Sequence, residues 1–448
     1  MKSSKWRVFS DDNAASFWTS VRFSLLRASA SSGALCLLLF FSTTAIGQKM
    51  HLDVSDKGAD EVALLLEALR GGDEVAALAV HERSIDASIR VWSAMILERQ
   101  RFDLAKSSED AEICEKSAVD TRPDDALDCG LFRVANLSLG GRRDEAKHLL
   151  VNLTSRFEGL GESARLRLAR QRVISELASP SPLRAPEVDF DLDLKAGEKG
   201  LSVDGLVNGV PIAFVADTGA VGVVMSRSEA DQRHVKVTGD KTAMDGWITR
   251  DLRAKQGVID TLKLGPVVWH DVPVTIVDSD INLIGISLLS SLPAVQFTSR
   301  SLRVYHKGSR SIPRCVETMT MSSEVDGANL KMVVPLSING RYERVLLDTG
   351  SSQYLLGSKA TLSRVKPLHR WRGSVGDIGG AHESVNIPDA KALLLVDGQP
   401  IDVHFSVLSD SDTPWLFTLG AAALNDMDFL LDFQNHHSCL LLHRTLHP

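Results

Sequence analysis

The sequence predicts a mainly β protein: a β region built of two similar halves, preceded by an α-helical domain. Three observations predict it. Apolar positions recur at spacings of three and four from about Asp53 to Leu177, then change to strict alternation over Val188-Asp189-Phe190-Asp191-Leu192-Asp193-Leu194. A proline-rich stretch, Ser179 to Pro186, separates the two regimes, as prolines at this density stop a helix. Beyond it, Ala213-Phe214-Val215-Ala216-Asp217-Thr218-Gly219-Ala220 returns 131 positions later as Arg344-Val345-Leu346-Leu347-Asp348-Thr349-Gly350-Ser351. An acid at the end of a buried strand is costly unless something uses or neutralises it. Its recurrence suggests two acids meant to meet.

The chain of 448 residues, 44% hydrophobic and 24% charged, can bury a sizeable core. Its formal charge of -7 and the lack of a basic stripe with interleaved aromatics argue against a nucleic-acid partner. Residues 1–47 read as a signal peptide. Lys2, Lys5, Arg7, Arg22 and Arg27 supply a positive flank, Gly33 to Ile46 a short apolar run, and Ala45-Ile46-Gly47 a small-residue cleavage site. Export to the periplasm or medium follows, with an uncleaved signal anchor as the competing reading. Without the leader four cysteines remain, Cys114, Cys129, Cys315 and Cys439, and four permit three connectivities. Cys114 with Cys129 would staple a local helical pair, and Cys315 with Cys439 would tie an inter-lobe segment to the final strand. Buried free thiols are the alternative. The spacings match no zinc pattern, and neither metal nor cofactor is expected.

Residues 48–178 form the expected helical domain. Val62, Leu65, Leu66 and Leu69 show its periodicity, and Gly71-Gly72-Asp73 and Gly140-Gly141-Arg142 read as helix-turn-helix junctions. The phrase Ala135-Asn136-Leu137-Ser138-Leu139-Gly140-Gly141 resembles a tetratricopeptide turn over one helical pair, without a clean repeat across the region. It implies a protein partner for this region, against the plainer reading of a domain packed on its own neighbour. Asn136 and Asn152 match glycosylation acceptors by letter, but on helices they read as chance matches.

After the linker at 179–187, residues 188–308 make the first lobe, 309–327 an inter-lobe linker and 328–448 the second lobe. Four landmarks keep their order in both. The hairpin turn is Asn208-Gly209 and Asn339-Gly340. Next comes Asp217-Thr218-Gly219 and Asp348-Thr349-Gly350. An apolar pair closing on Gly285 or Gly420 follows, and then a closing pair of strands.

These paired motifs, over about residues 188–445, resemble the retropepsin-like aspartic proteases in a single-chain, two-lobed form similar to exported bacterial members. The resemblance implies two acid-protease β-barrel lobes related by a pseudo-twofold axis that each give one catalytic aspartate, Asp217 and Asp348, to a cleft between them, with a peptide or protein as substrate and no need for dimerisation. It also implies that Thr218 and Thr349 bond across the interface. Gly219 and Gly350 would allow close approach to the dyad, and Gly285 and Gly420 would let a second strand pass behind each loop. Ser351 faces Ala220 in the overlay, and its hydroxyl would reach a carboxylate as a methyl cannot. Flap candidates lie about thirty residues after each aspartate, at Gly246 and Trp247 and at Gly376, Gly379 and Gly380. Two close carboxylates cannot both ionise, so they share a proton and titrate as a pair. A catalytically silent peptide-binding module using the same cleft is the competing function, and an inhibitory helical domain a third. His436-His437, Asp278 to Asp280 and Asp410 to Asp412 read as turns rather than metal ligands, and the serines near His270 lack triad context.

Overall fold

The computed structural model describes residues 56–197, 200–244, 252–314, 318–365, 367–376, 382–408 and 413–443. The expected leader, Cys315, the flap positions Gly246, Trp247, Gly379 and Gly380, and Asp410 to Asp412 lie outside these residues. Among the described residues no helix is long and apolar enough to cross a membrane.

Among the described residues seven α-helices come first: α1 (Asp56–Gly71), α2 (Glu74–Arg83), α3 (Ala87–Gln100), α4 (Leu104–Ala118), α5 (Pro123–Leu139), α6 (Arg143–Phe157) and α7 (Glu162–Leu177). The glycine junctions do what their composition predicts. Gly72 and Gly141 take left-handed φ of 64° and 71°, and Asp73 then caps α2 by accepting from the Ala76 N–H at 3.0 Å. Cys114 and Cys129 form a disulfide between α4 and α5. Cys439 is also disulfide-bonded. Asn136 is buried and held by Arg99 and Ser107, which rules it out as a surface acceptor.

Each lobe is an eight-stranded sheet, and the two sheets share one strand order. In the first lobe the order is Lys195–Gly197, Gly200–Val207, Val210–Asp217, Leu283–Gly285, Val223–Ser226, Val267–Val277, Leu252–Leu264 and Lys236–Met244. The second runs Thr320–Ser322, Lys331–Ile338, Arg341–Asp348, Phe417–Gly420, Leu355–Gly357, Gln399–Val407, His382–Val396 and His369–Gly376. Extra pairings close both sheets at equivalent places, Leu206 with Lys263 and Ser337 with Leu395. Both Asn-Gly turns have φ positive at both residues, the geometry a two-residue hairpin with right-handed twist requires. The stretch 309–327, expected to be linker, contributes the edge strand Thr320–Ser322 to the second sheet. Its three residues are too few for alternation to register.

A five-stranded sheet joins the lobes. Ala294–Phe297 of the first pairs antiparallel with Met427–Asp432 of the second, flanked by Phe190–Asp193, Ser301–Tyr305 and Cys439–Leu442. The alternating stretch near residue 190 thus belongs to this shared layer. One continuous apolar core runs through both lobes.

Candidate active site

Local chain logic brings the two acids to one place. In each lobe the strand ending in aspartate lies parallel to the strand ending in glycine, with Asp217 opposite Gly285 and Asp348 opposite Gly420. A side chain at Gly285 would sit 2.5 Å from the Gly222 carbonyl oxygen, and one at Gly420 would sit 2.3 Å from that of Gln353. Glycine is therefore the residue that lets the second strand pass so close behind the loop. The loops are then tied down by Ile286 N–H on Ala220 at 2.9 Å and Ala421 N–H on Ser351 at 2.7 Å.

The lobes meet through a reciprocal lattice of threonines, both fully buried. The Thr218 N–H donates to Thr349 Oγ1 at 3.0 Å and the Thr349 N–H to Thr218 Oγ1 at 3.1 Å. Each hydroxyl in turn donates across the interface, Thr218 to the Leu347 carbonyl at 2.9 Å and Thr349 to that of Ala216 at 2.7 Å. The N–H and hydroxyl of each threonine are satisfied by the opposite lobe, which fixes the register of the two loops.

The carboxylates stand immediately above. Asp217 Oδ1 accepts from the N–H groups of Gly219 and Ala220 at 2.8 and 3.1 Å, and Asp348 Oδ1 from those of Gly350 and Ser351 at 3.0 and 3.2 Å. A Cβ placed on Gly219 would lie 2.4 Å from Asp348 Oδ1, and one on Gly350 would lie 2.5 Å from the Asp217 carboxyl carbon. Each glycine thus faces the other lobe's acid, and no side chain fits between. Asp348 also has Asp217 as a hydrogen-bond partner. Burial, then the neighbouring Asp217, pushes the Asp348 carboxyl up to about 8, and Lys331 and the Gly350 N–H pull against that rise.

Residues 203–291, which include the first aspartate loop and Gly285, match the family described as "gag-polyprotein putative aspartyl protease". The β region resembles the retropepsin-like aspartic proteases. No curated protein matches the chain. Among solved structures the chain is similar to an aspartic proteinase from Irpex lacteus, at 13% identity and TM-score 0.39 over 57% of this chain and 98% of that one. It is also similar to a retropepsin-like aspartic protease from Rickettsia conorii, at 18% identity and TM-score 0.22 over 26% of this chain and 90% of that one.

Within the retropepsin-like region the predicted residues Asp217, Thr218, Gly219, Asp348, Thr349, Gly350 and Ser351 come together, with Gly285 and Gly420 directly behind them. Gly376 ends the strand His369–Gly376, at the lip of the segment expected to be a flap. Ser351 approaches Asp348 through its backbone N–H, as Ala220 approaches Asp217, so that pair treats the two acids alike. The inequality enters elsewhere. Lys331, half-buried at the start of its strand, reaches across the interface and donates from Nζ to the Gly219 carbonyl. Lys331 belongs to no motif. Its one sequence signal is the 131-residue overlay, which sets it opposite Gly200.

Proposed function

We propose that this chain is an aspartic endopeptidase, active as a single chain, in which Asp217 and Asp348 share one proton and activate a water against a peptide bond. The observation that best supports it is the interlocked pair of Asp-Thr-Gly loops, with each glycine set against the opposite carboxylate. The ionised oxygen takes a proton from the attacking water while the protonated carboxyl polarises the scissile carbonyl. The tetrahedral diol then collapses as a proton passes to the leaving amine. Neither a covalent intermediate nor a metal is needed in this scheme. The raised Asp348 carboxyl is what the acid half of such a pair requires, since a carboxyl that keeps its proton toward neutral pH is available to donate. Export to the periplasm or medium through residues 1–47 completes the reading.

The test is cleavage of a diverse peptide library by the mature protein and by Asp217→Asn and Asp348→Asn variants. Each substitution is expected to lower kcat/KM by about 10^2- to 10^4-fold, the range for loss of a positioned general acid or base, with the fold retained. Cleavage unchanged in either variant overturns the dyad assignment. Binding of peptides without cleavage by the wild type would return the cleft to a binding role.

A further inference from the structure

The two aspartate loops match hydrogen bond for hydrogen bond, but among the described residues a lysine reaches them from one lobe only. The hairpin turns and the Asp-Thr-Gly loops all overlay at a shift of 131 residues, and under the same shift Lys331 falls opposite Gly200. The geometry repeats the overlay. Lys331 extends to the carbonyl of Gly219 in the first lobe's loop, while a Cβ placed on Gly200 would lie 3.2 Å from the Val215 side chain and 3.6 Å from the carbonyl oxygen of Gly350. One lobe has an ammonium where the other has a hydrogen atom. Gly200 also has a φ of 121°, a backbone conformation that disfavours any side chain there, so the vacancy on that side is built into the strand.

We propose that Lys331 is a positioning residue for the dyad: its ammonium, anchored on the Gly219 carbonyl, stabilises negative charge on the pair and makes the two carboxylates unequal. This rests on the reading of Asp217 and Asp348 as a proton-sharing pair. The charged groups that act on Lys331 are those two carboxylates; on the paired strand it faces Ser322, which is uncharged. Among the described residues it makes no contact ion pair with either acid, so it acts on them through space. Burial lowers the affinity of Lys331 for its proton and the two aspartates restore part of it, which couples the lysine to the dyad in both directions. A cation beside a pair that can hold two, one or no protons favours the forms with fewer. Removing it therefore moves both limbs of the activity profile to higher pH.

The experiment is the pH dependence of kcat/KM for the wild-type chain and for Lys331→Met, Lys331→Gln and Lys331→Arg. Both limbs are expected to rise by about one pH unit in the Met and Gln variants, the size of a single charge acting over several ångströms in a partly solvated cleft. The Arg variant is expected to keep the wild-type limbs. The Gln variant retains a donor for the Gly219 carbonyl, so it separates lost charge from lost packing. A uniform drop in rate with unmoved limbs in Lys331→Gln would make the lysine merely structural and overturn the proposal. If the wild type cleaves no peptide, the protease reading falls by itself. Lys331 is then tested by carbon-13 titration of the aspartate carboxyls, where the Asp348 midpoint must rise in Lys331→Gln, and an unmoved midpoint overturns the proposal.

Discussion

The first and second lobes repeat one topology strand for strand, yet the rest of the chain treats them differently. Helices α1 and α2 dock on the outer face of the second lobe. The Gly71 carbonyl accepts from Trp415 Nε1 at 3.1 Å, the Gly72 carbonyl from Thr320 Oγ1 at 2.7 Å, and Asp73 pairs with Arg344. Deeper in the same interface Arg99, fully buried on α3, donates to Asn136 Oδ1, Phe132 O and Val325 O at 2.7–2.8 Å and stacks on the Phe132 ring. Burial pushes its guanidinium down to about 9. The equivalent face of the first lobe, where Ser202, Ala213 and Val215 replace Val333, Arg344 and Leu346, borders an open cavity of about 930 Å³. A duplicated fold sets the backbone symmetrically and leaves the side chains free to diverge. Here they diverge twice, once at the outer face that receives the helices and once at the dyad, through Gly200 and Lys331.

Four substitutions or titrations probe how far the equivalence of the lobes extends. The largest effect is expected from Gly219→Ala and Gly350→Ala, whose methyl groups would overlap the opposite carboxylate and displace it. Displacement of about an ångström at a reacting group lowers kcat/KM by about 10^2-fold, and the two variants should lose activity to similar extents in peptide cleavage. A large difference between them would show that one carboxylate tolerates movement and the other does not.

Arg99→Met should destabilise the chain by about 3 kcal/mol in chemical denaturation, since it strands buried carbonyl acceptors. Arg143, which bonds the Asp271 carbonyl of the first lobe at 2.8 Å from a half-buried side chain, makes one such bond to the lobe and is expected to cost about 1 kcal/mol when changed to Ala. Equal costs would erase the distinction between the two docking faces.

Thr218→Val and Thr349→Val each remove one hydroxyl that both donates and accepts across the interface. Each should cost about 1–2 kcal/mol in thermal or chemical unfolding, and the two should match. A clear mismatch would show that the lattice is unequal despite its matched distances.

A separate probe is the pH dependence of stability. The Asp348 carboxyl is raised in the folded state to about 8 from an unfolded value of about 4. The folded chain therefore holds this proton more tightly. The stability it contributes is complete below the unfolded value and is lost as pH rises through the folded one. The melting temperature should decline between about pH 4 and pH 8, and less steeply in Asp348→Asn. An identical slope in the variant would remove Asp348 as its source.

Much of the fold and site was legible beforehand because it rests on local rules repeated twice. Asn-Gly demands a tight turn, alternation demands a half-exposed strand, and Asp-Thr-Gly after an apolar strand marks a loop with a reason to be buried. The strand Thr320–Ser322 escaped because three residues carry no period. Lys331 escaped because a lysine at the start of a strand reads as an ordinary solvated end. Arg99, in the charged last turn of a helix, likewise gave no sign that it would be buried whole.

By itself the sequence determined the duplication, the helical and β regimes and the identity of both acids, since these follow from short-range patterns and a single self-comparison. Only the tertiary structure decided what each lobe faces across the interface: the threonine lattice, the glycine against the opposite acid and the ammonium on the Gly219 carbonyl. Those contacts join residues more than a hundred positions apart. Their energies depend on distance and burial, which no local pattern encodes.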